Sequence, residues 1–106
     1  MDFTLRPFVP DDAPRVAALI AQIDPDPPTV EEVVELQAGF PVQDGALQLL
    51  LVAVRPDGQI VGFGQSYRKP WHKPGKFFQF LVVDRACRRK SIGRALAAAL
   101  EQFAVT

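Results

Sequence analysis

Apolar and polar positions alternate along the chain in two periods, and the change from one to the other marks out the elements. Residues 2–7, Asp-Phe-Thr-Leu-Arg-Pro, alternate well enough for a first strand. Asp11 or Asp12 then supplies an N-cap with Pro14 in the first turn, and Val16, Leu19, Ile20 and Ile23 recur at helical spacing as a buried stripe. Asp24-Pro25-Asp26-Pro27-Pro28 ends that helix in an extended loop. Thr29-Val30-Glu31-Glu32 reads as a capping box opening a second helix, with Val33, Val34 and Leu36 inward and a stop near Gly39.

The second half is strand-rich. Leu47 to Val54 is an apolar run interrupted only by Gln48, Arg55-Pro56-Asp57-Gly58 is a turn, and Gln59 to Tyr67 is the antiparallel return. Gly62 and Gly64 in that return predict a bulge or close packing. Arg68 to Gly75 is a basic, proline-containing loop, Phe77 to Val83 a fourth strand, and Ile92 to Ala104 a third helix. Ile92, Leu96, Leu100 and Phe103 share one face of it. The order β-α-α-β-β-β-α predicts an α+β domain with a mostly antiparallel sheet flanked by helices.

Composition changes this picture little. With 48% apolar and 23% charged residues, the 106-residue chain suits one modest core. No apolar stretch reaches the roughly 18 residues of a membrane span, so no membrane partner is expected. Acidic Asp2 and the lack of a basic-then-apolar leader predict no secretory signal. The single cysteine, Cys87, excludes an internal disulfide and fits a cytoplasmic location.

Charge is more informative. The net charge is zero, but residues 1–67 carry −7 and residues 68–106 carry +7. Either the halves neutralise each other across the fold, or the C-terminal half is the anion-binding side.

The segment Leu81-Val82-Val83-Asp84-Arg85-Ala86-Cys87-Arg88-Arg89-Lys90-Ser91-Ile92-Gly93-Arg94 favours the second. A strand runs into a basic turn and then into a helix start, where backbone N–H groups lack partners. Arg88, Arg89, Lys90 and Arg94 add positive charge, and small Ser91 and Gly93 allow close approach. This is a pyrophosphate cradle for a nucleotide-bearing cofactor, unless it is an ordinary solvated turn.

The wording R-x-x-S-x-G (Arg88, Ser91, Gly93), between L-V-V and R-A-L, resembles the acetyl-CoA signature of the GNAT N-acetyltransferase superfamily. Leu5-Arg6-Pro7 with Asp11-Asp12 is similar to that family's opening, and Val61-Gly62-Phe63 to its third strand. The resemblance implies a truncated GNAT-like (acyl-CoA N-acyltransferase) fold: residues 1–106 as one domain spanning the first two-thirds and incomplete at the C-terminus. It implies acetyl-CoA as co-substrate, with pantetheine pairing along Leu81, Val82 and Val83 and pyrophosphate on Arg88, Arg89, Lys90, Ser91, Ile92, Gly93 and Arg94. It also places the Leu81 amide on the thioester oxygen, a donor worth about 3 kcal/mol in the transition state. The implied reaction is direct attack by a primary amine, on a small molecule or peptide.

The departures are specific. The family usually has glycine where Ser91 stands; Ser91 is either a tolerated variant, adopting the helix-start conformation without glycine's freedom, or the mark of a decayed site. The family's glutamate on the fourth strand corresponds to Phe77, and neighbouring Gln79 cannot accept a proton, so no base carries over. The family's thiolate-protonating tyrosine would lie beyond Thr106. His72 sits at a hairpin tip where it is solvated or at the acceptor mouth. Tyr67 lines core or groove. Cys87, beside Arg88, packs rather than reacts. One histidine and one cysteine make no metal site, and Trp71 among Lys69, Lys73 and Lys76 does not amount to nucleic-acid binding. A second function therefore stands beside the first: a catalytically silent, shortened module that binds CoA or a protein partner. With Phe78, Phe80 and Val82 or their opposite-face neighbours poorly covered, a homodimer or intertwined oligomer is expected.

Overall fold

A computed structural model describes residues 3–38, 47–68, 77–87 and 91–104. Strands β1 (Thr4–Pro7), β2 (Leu47–Val54), β3 (Ile60–Arg68) and β4 (Phe78–Val83) form one antiparallel sheet in chain order. Helices α1 (Ala13–Ala21), α2 (Val30–Ala38) and α3 (Ile92–Ala104) pack on it. Class and element order are those expected: α+β, β-α-α-β-β-β-α.

Side chains alternate across the sheet with period two, so β2, β3 and β4 each feed two cores. Leu50, Val52, Phe63 and Val82 pack with Val16, Leu19, Ile20 and Val33 beneath α1 and α2. Ala53, Val61 and Val83 pack with Cys87, Ile92 and Leu96 beneath α3. Both faces of β2 are covered, hence its nearly unbroken apolar run. Cys87 is buried as a packing residue.

The two glycines of β3 are there for α3. A Cβ on Gly62 would lie 3.0 Å from Leu96 Cδ1, 3.1 Å from Ile92 Cγ2 and 3.3 Å from Ala53 Cβ. One on Gly64 would lie 3.1 Å from Leu100 Cδ1. The stripe Ile92, Leu96, Leu100 therefore lies directly on bare backbone. Of the two readings of these glycines, close packing holds at both, and a bulge adjoins the first: Ala53 pairs with Gly62 but Val54 with Ile60, leaving Val61 extra.

Local signals hold where side chains and backbone are adjacent. The capping box forms, with Thr29 N–H donating to Glu32 Oε1 at 3.0 Å and Glu32 N–H to Thr29 Oγ1 at 3.1 Å. The Arg55–Gly58 turn closes at 2.9 Å, with Gly58 at φ 90°, a region glycine enters freely.

Two expectations at α1 are corrected. Asp12 does not cap the helix. Its carboxylate accepts Arg6 Nη1 and Nη2, each at 2.9 Å, and Val9 N–H at 2.9 Å, inside a short 3-10 turn over Pro10–Asp12. Ile23 is not in the buried stripe, because α1 stops at Ala21 and leaves Ile23 47% exposed. The expected thin cover at β4 is confined to its start: Val82 is buried, Phe80 packs on the core, and Phe78 is 42% exposed, stacked on Tyr67 at 5.7 Å.

Candidate functional site

β4 forms one edge of the sheet among the described residues, and its backbone directions follow from one bond. Asp84 N–H donates to Val61 O at 2.8 Å, so residue 84 faces β3. Antiparallel pairing alternates residue by residue. Val82 and Phe80 therefore also face β3, while the N–H and C=O of Leu81 and Val83 turn toward the open edge.

The start of α3 stands beside that edge. Ala95 N–H donates to Ser91 O at 3.0 Å, closing the first helical turn. The amides of Ile92, Gly93 and Arg94 precede it and have no intrahelical acceptor. Ser91 itself is left-handed, at φ 67°. The expectation that serine would sit here in a helix-start conformation is thus corrected: this turn asks for glycine's freedom, and Ser91 occupies it at a strain of about 1–2 kcal/mol.

Strand edge and helix start enclose a groove of about 580 Å³, within the range of small-molecule sites. Leu81, Val82, Val83, Ser91, Gly93 and Arg94 line it, and so does Ile23 from beyond α1. Six of the ten residues singled out in the sequence thus meet around one space. Ile92 is buried in the α3 core, so it offers the groove only its backbone. Arg88, Arg89 and Lys90 lie outside the described residues, as do His72 and Trp71. Ile23 was missed; its helical spacing matched the stripe, and the signal against it was the Asp24-Pro25 stop immediately after.

Three successive amides in the turn between strand and helix are already committed. Arg85 N–H donates to Gln22 Oε1 at 2.8 Å, Ala86 N–H to Asp84 Oδ1 at 3.0 Å, and Cys87 N–H to Asp84 O at 2.8 Å. Arg15 Nη2 donates to Asp84 Oδ2 and its Nε to Ile60 O at 2.9 Å. The Ala86 amide, and after it Arg15, hold the Asp84 carboxyl below the usual carboxylate range despite partial burial. Asp84 is thereby a fixed anion that organises the turn and leaves the helix-start amides to face the groove.

On the far half of β4, Phe77 meets Phe103 edge-on at 5.7 Å, with the Arg68 guanidinium 6.0 Å from the Phe77 ring centre. The position matched to the family's glutamate is therefore taken up by packing against α3.

An edge strand beside a helix start, on an antiparallel α+β sheet, defines an acyl-CoA N-acyltransferase type of fold. The chain matches the acetyltransferase (GNAT) family over residues 15–106, and it belongs to that family. Solved structures agree on the fold. A GCN5-related N-acetyltransferase from Sphaerobacter thermophilus superposes with TM-score 0.72 at 24% identity, covering 96% of this chain and 32% of that one. One from Kribbella flavida gives TM-score 0.75 at 22% identity, covering 96% and 64%. A GNAT phosphinothricin acetyltransferase from Sinorhizobium meliloti, in complex with AcCoA, gives TM-score 0.72 at 18% identity, covering 98% and 60%. The chain thus spans between a third and two-thirds of the length of these three structures. No curated protein matches it in sequence.

Proposed function

We propose that the protein binds acetyl-CoA in the groove between β4 and α3 and transfers the acetyl group to a primary amine. The observation that supports this most is the convergence on one space of about 580 Å³ of Leu81 and Val83, whose backbone turns to the open strand edge, with Ser91, Gly93 and Arg94 at the helix start. In this reading Leu81 and Val83 pair with the pantetheine amides as an added strand would. The helix-start amides, with Arg94 and the cationic side chains of Arg88, Arg89 and Lys90, receive the pyrophosphate. Gly93 fits the role, since the space beside Val83 that its missing Cβ leaves is open to a phosphate. The bound co-substrate supplies the activated thioester. The Leu81 amide donates to the thioester oxygen as negative charge builds on it. Attack is direct, and the amine must arrive neutral.

The second reading is a CoA- or protein-binding module without catalysis. Phe77 and Gln79 favour it, because neither can take a proton where the family often has a carboxylate. Self-association through the β4 edge belongs to this reading, and light scattering over a concentration series tests it.

Thermal melting with acetyl-CoA, followed by a thiol-release assay, decides between them. At about 100 times its dissociation constant the ligand should add about 2.7 kcal/mol to folded stability. No shift overturns both cofactor readings. A shift without thiol release over a panel of amines leaves the silent module.

A further inference from the structure

We propose that Gln22 is a positioning residue for the acyl-CoA site: with Arg85 it forms a latch that fixes the turn between β4 and α3 against the end of α1. The inference rests on the acyl-CoA reading of the groove. The latch is reciprocal. The Gln22 side chain accepts the Arg85 backbone N–H at 2.8 Å, and the Arg85 guanidinium returns to the Gln22 backbone carbonyl at 3.1 Å. The partners stand 63 residues apart, so tertiary structure alone brings them together.

What the latch holds is the turn on which the site depends. The groove needs the helix-start amides of residues 92–94 at a set distance from the outward backbone of Leu81 and Val83. The turn joins those two walls. Asp84 pins it at the strand end, through Ala86 and Cys87 and through Arg15 behind it. Gln22 supplies the remaining brace, and the next residue, Ile23, lines the groove. Gln22 also helps hold the Asp84 carboxyl ionised, after Ala86 and Arg15. The end of α1 and the strand end of the turn are thereby tied together beside the groove.

A brace of this kind has a signature distinct from packing. The Gln22–Arg85 bonds lie at the surface, and no core side chain contributes to them. Removing the side-chain bond should loosen the turn and lower the melting temperature only by what one hydrogen bond is worth, about 4–8 °C.

Gln22→Met tests this, because it keeps the length of the side chain and removes both its acceptor and its donor without changing charge. Hydrogen–deuterium exchange of the ligand-free chain should rise about tenfold in residues 84–87 and 91–95, and in β2 by no more than the measured loss of global stability, as expected for loss of one hydrogen bond. The dissociation constant for coenzyme A, by calorimetry at a temperature where both proteins are fully folded, should rise by a similar factor. Unchanged exchange overturns the latch, and raised exchange with an unchanged dissociation constant overturns its positioning role. If the parent protein fails to bind coenzyme A, the acyl-CoA reading falls, and exchange alone then decides whether the latch holds the turn.

Discussion

Replacing Gly62 by alanine should lower stability by about 1–2 kcal/mol, because the new methyl has nowhere to go. Its three nearest neighbours stand at 3.0, 3.1 and 3.3 Å, all closer than an ordinary van der Waals contact. Leu96 Cδ1 is the terminus of a flexible side chain, yet Leu96 is fully buried, so its rotation is restricted. Ile92 is β-branched and stiff at χ1. Ala53 Cβ moves only with the β2 backbone. The adjustment therefore falls on α3, which must lift from the sheet. Overpacking of this kind costs about 1–3 kcal/mol, against about 0.4–1 kcal/mol recovered because alanine restricts the unfolded chain. For a chain of this size the difference is a fall of about 5–10 °C in melting temperature. Since Ile92 and Leu96 flank Gly93 and Arg94, the same displacement should weaken acetyl-CoA binding. Thermal and urea unfolding by circular dichroism measure the first effect, and calorimetry the second. Gly58→Ala is the comparator: nothing lies within 4 Å of its Cβ position, but its φ of 90° strains any side chain, so it should lose stability without losing ligand. A Gly62→Ala protein melting at or above the parent would refute the packing argument.

Three further outcomes are expected. Ser91→Gly should raise the melting temperature through relief of a left-handed serine worth about 1 kcal/mol, with coenzyme A binding equal or tighter by calorimetry; a destabilised variant would contradict the φ of 67°. Gly93→Ala should leave stability unchanged or slightly raised, since its methyl meets only Val83 Cγ2 at 3.5 Å, while coenzyme A binding weakens because that methyl enters the groove. Stability should be flat from about pH 7 to pH 5 and fall below about pH 4. The sign follows from Asp12 and Asp84: Arg6 above all lowers the first and the Ala86 amide the second, so both must be protonated below their ordinary values before the fold is lost. Urea titrations at each pH should show a shallower acid limb in Asp12→Asn; equal slopes would remove Asp12 from the account.

The legible part of the fold was the part that local chemistry dictates. Thr29 and Glu32 lie three residues apart and cap each other directly, and the Arg55–Gly58 turn needs only its own four residues. The β2 run and the α3 stripe read correctly because burial on two faces and on one face leave different periods. Six groove residues were legible because they adjoin in sequence the strand and helix that expose them. What escaped depends on distance in sequence. Asp12 looked like a cap, but Arg6, across the β1–α1 connection, competes for the same carboxylate and wins with a bidentate pair. Ile23 kept the helical spacing after the helix had ended. The contacts of Gln22 with Arg85 and of Arg15 with Asp84 join halves of the chain whose adjacency no local pattern encodes. The positive φ of Ser91 had a visible clue in the family's glycine, but a serine gives no sign of its own.

These long-range contacts explain how one short connection serves opposed ends. A turn that presents amides to a ligand must also dispose of the amides it hides, or buried donors go unpaired. Here the division is sharp. The N–H groups of residues 85–87 are consumed by Gln22 and Asp84, while those of 92–94 remain for the groove. The left-handed Ser91 stands immediately before the second set. Charge alone would not achieve this. The C-terminal half carries +7, yet cations on flexible side chains attract an anion without orienting it. Orientation must come from amides fixed by β4, by Asp84 and by the α3 stripe lying on Gly62 and Gly64. The proposed acyl-CoA groove thus rests on the same bare backbone that lets α3 lie against the sheet.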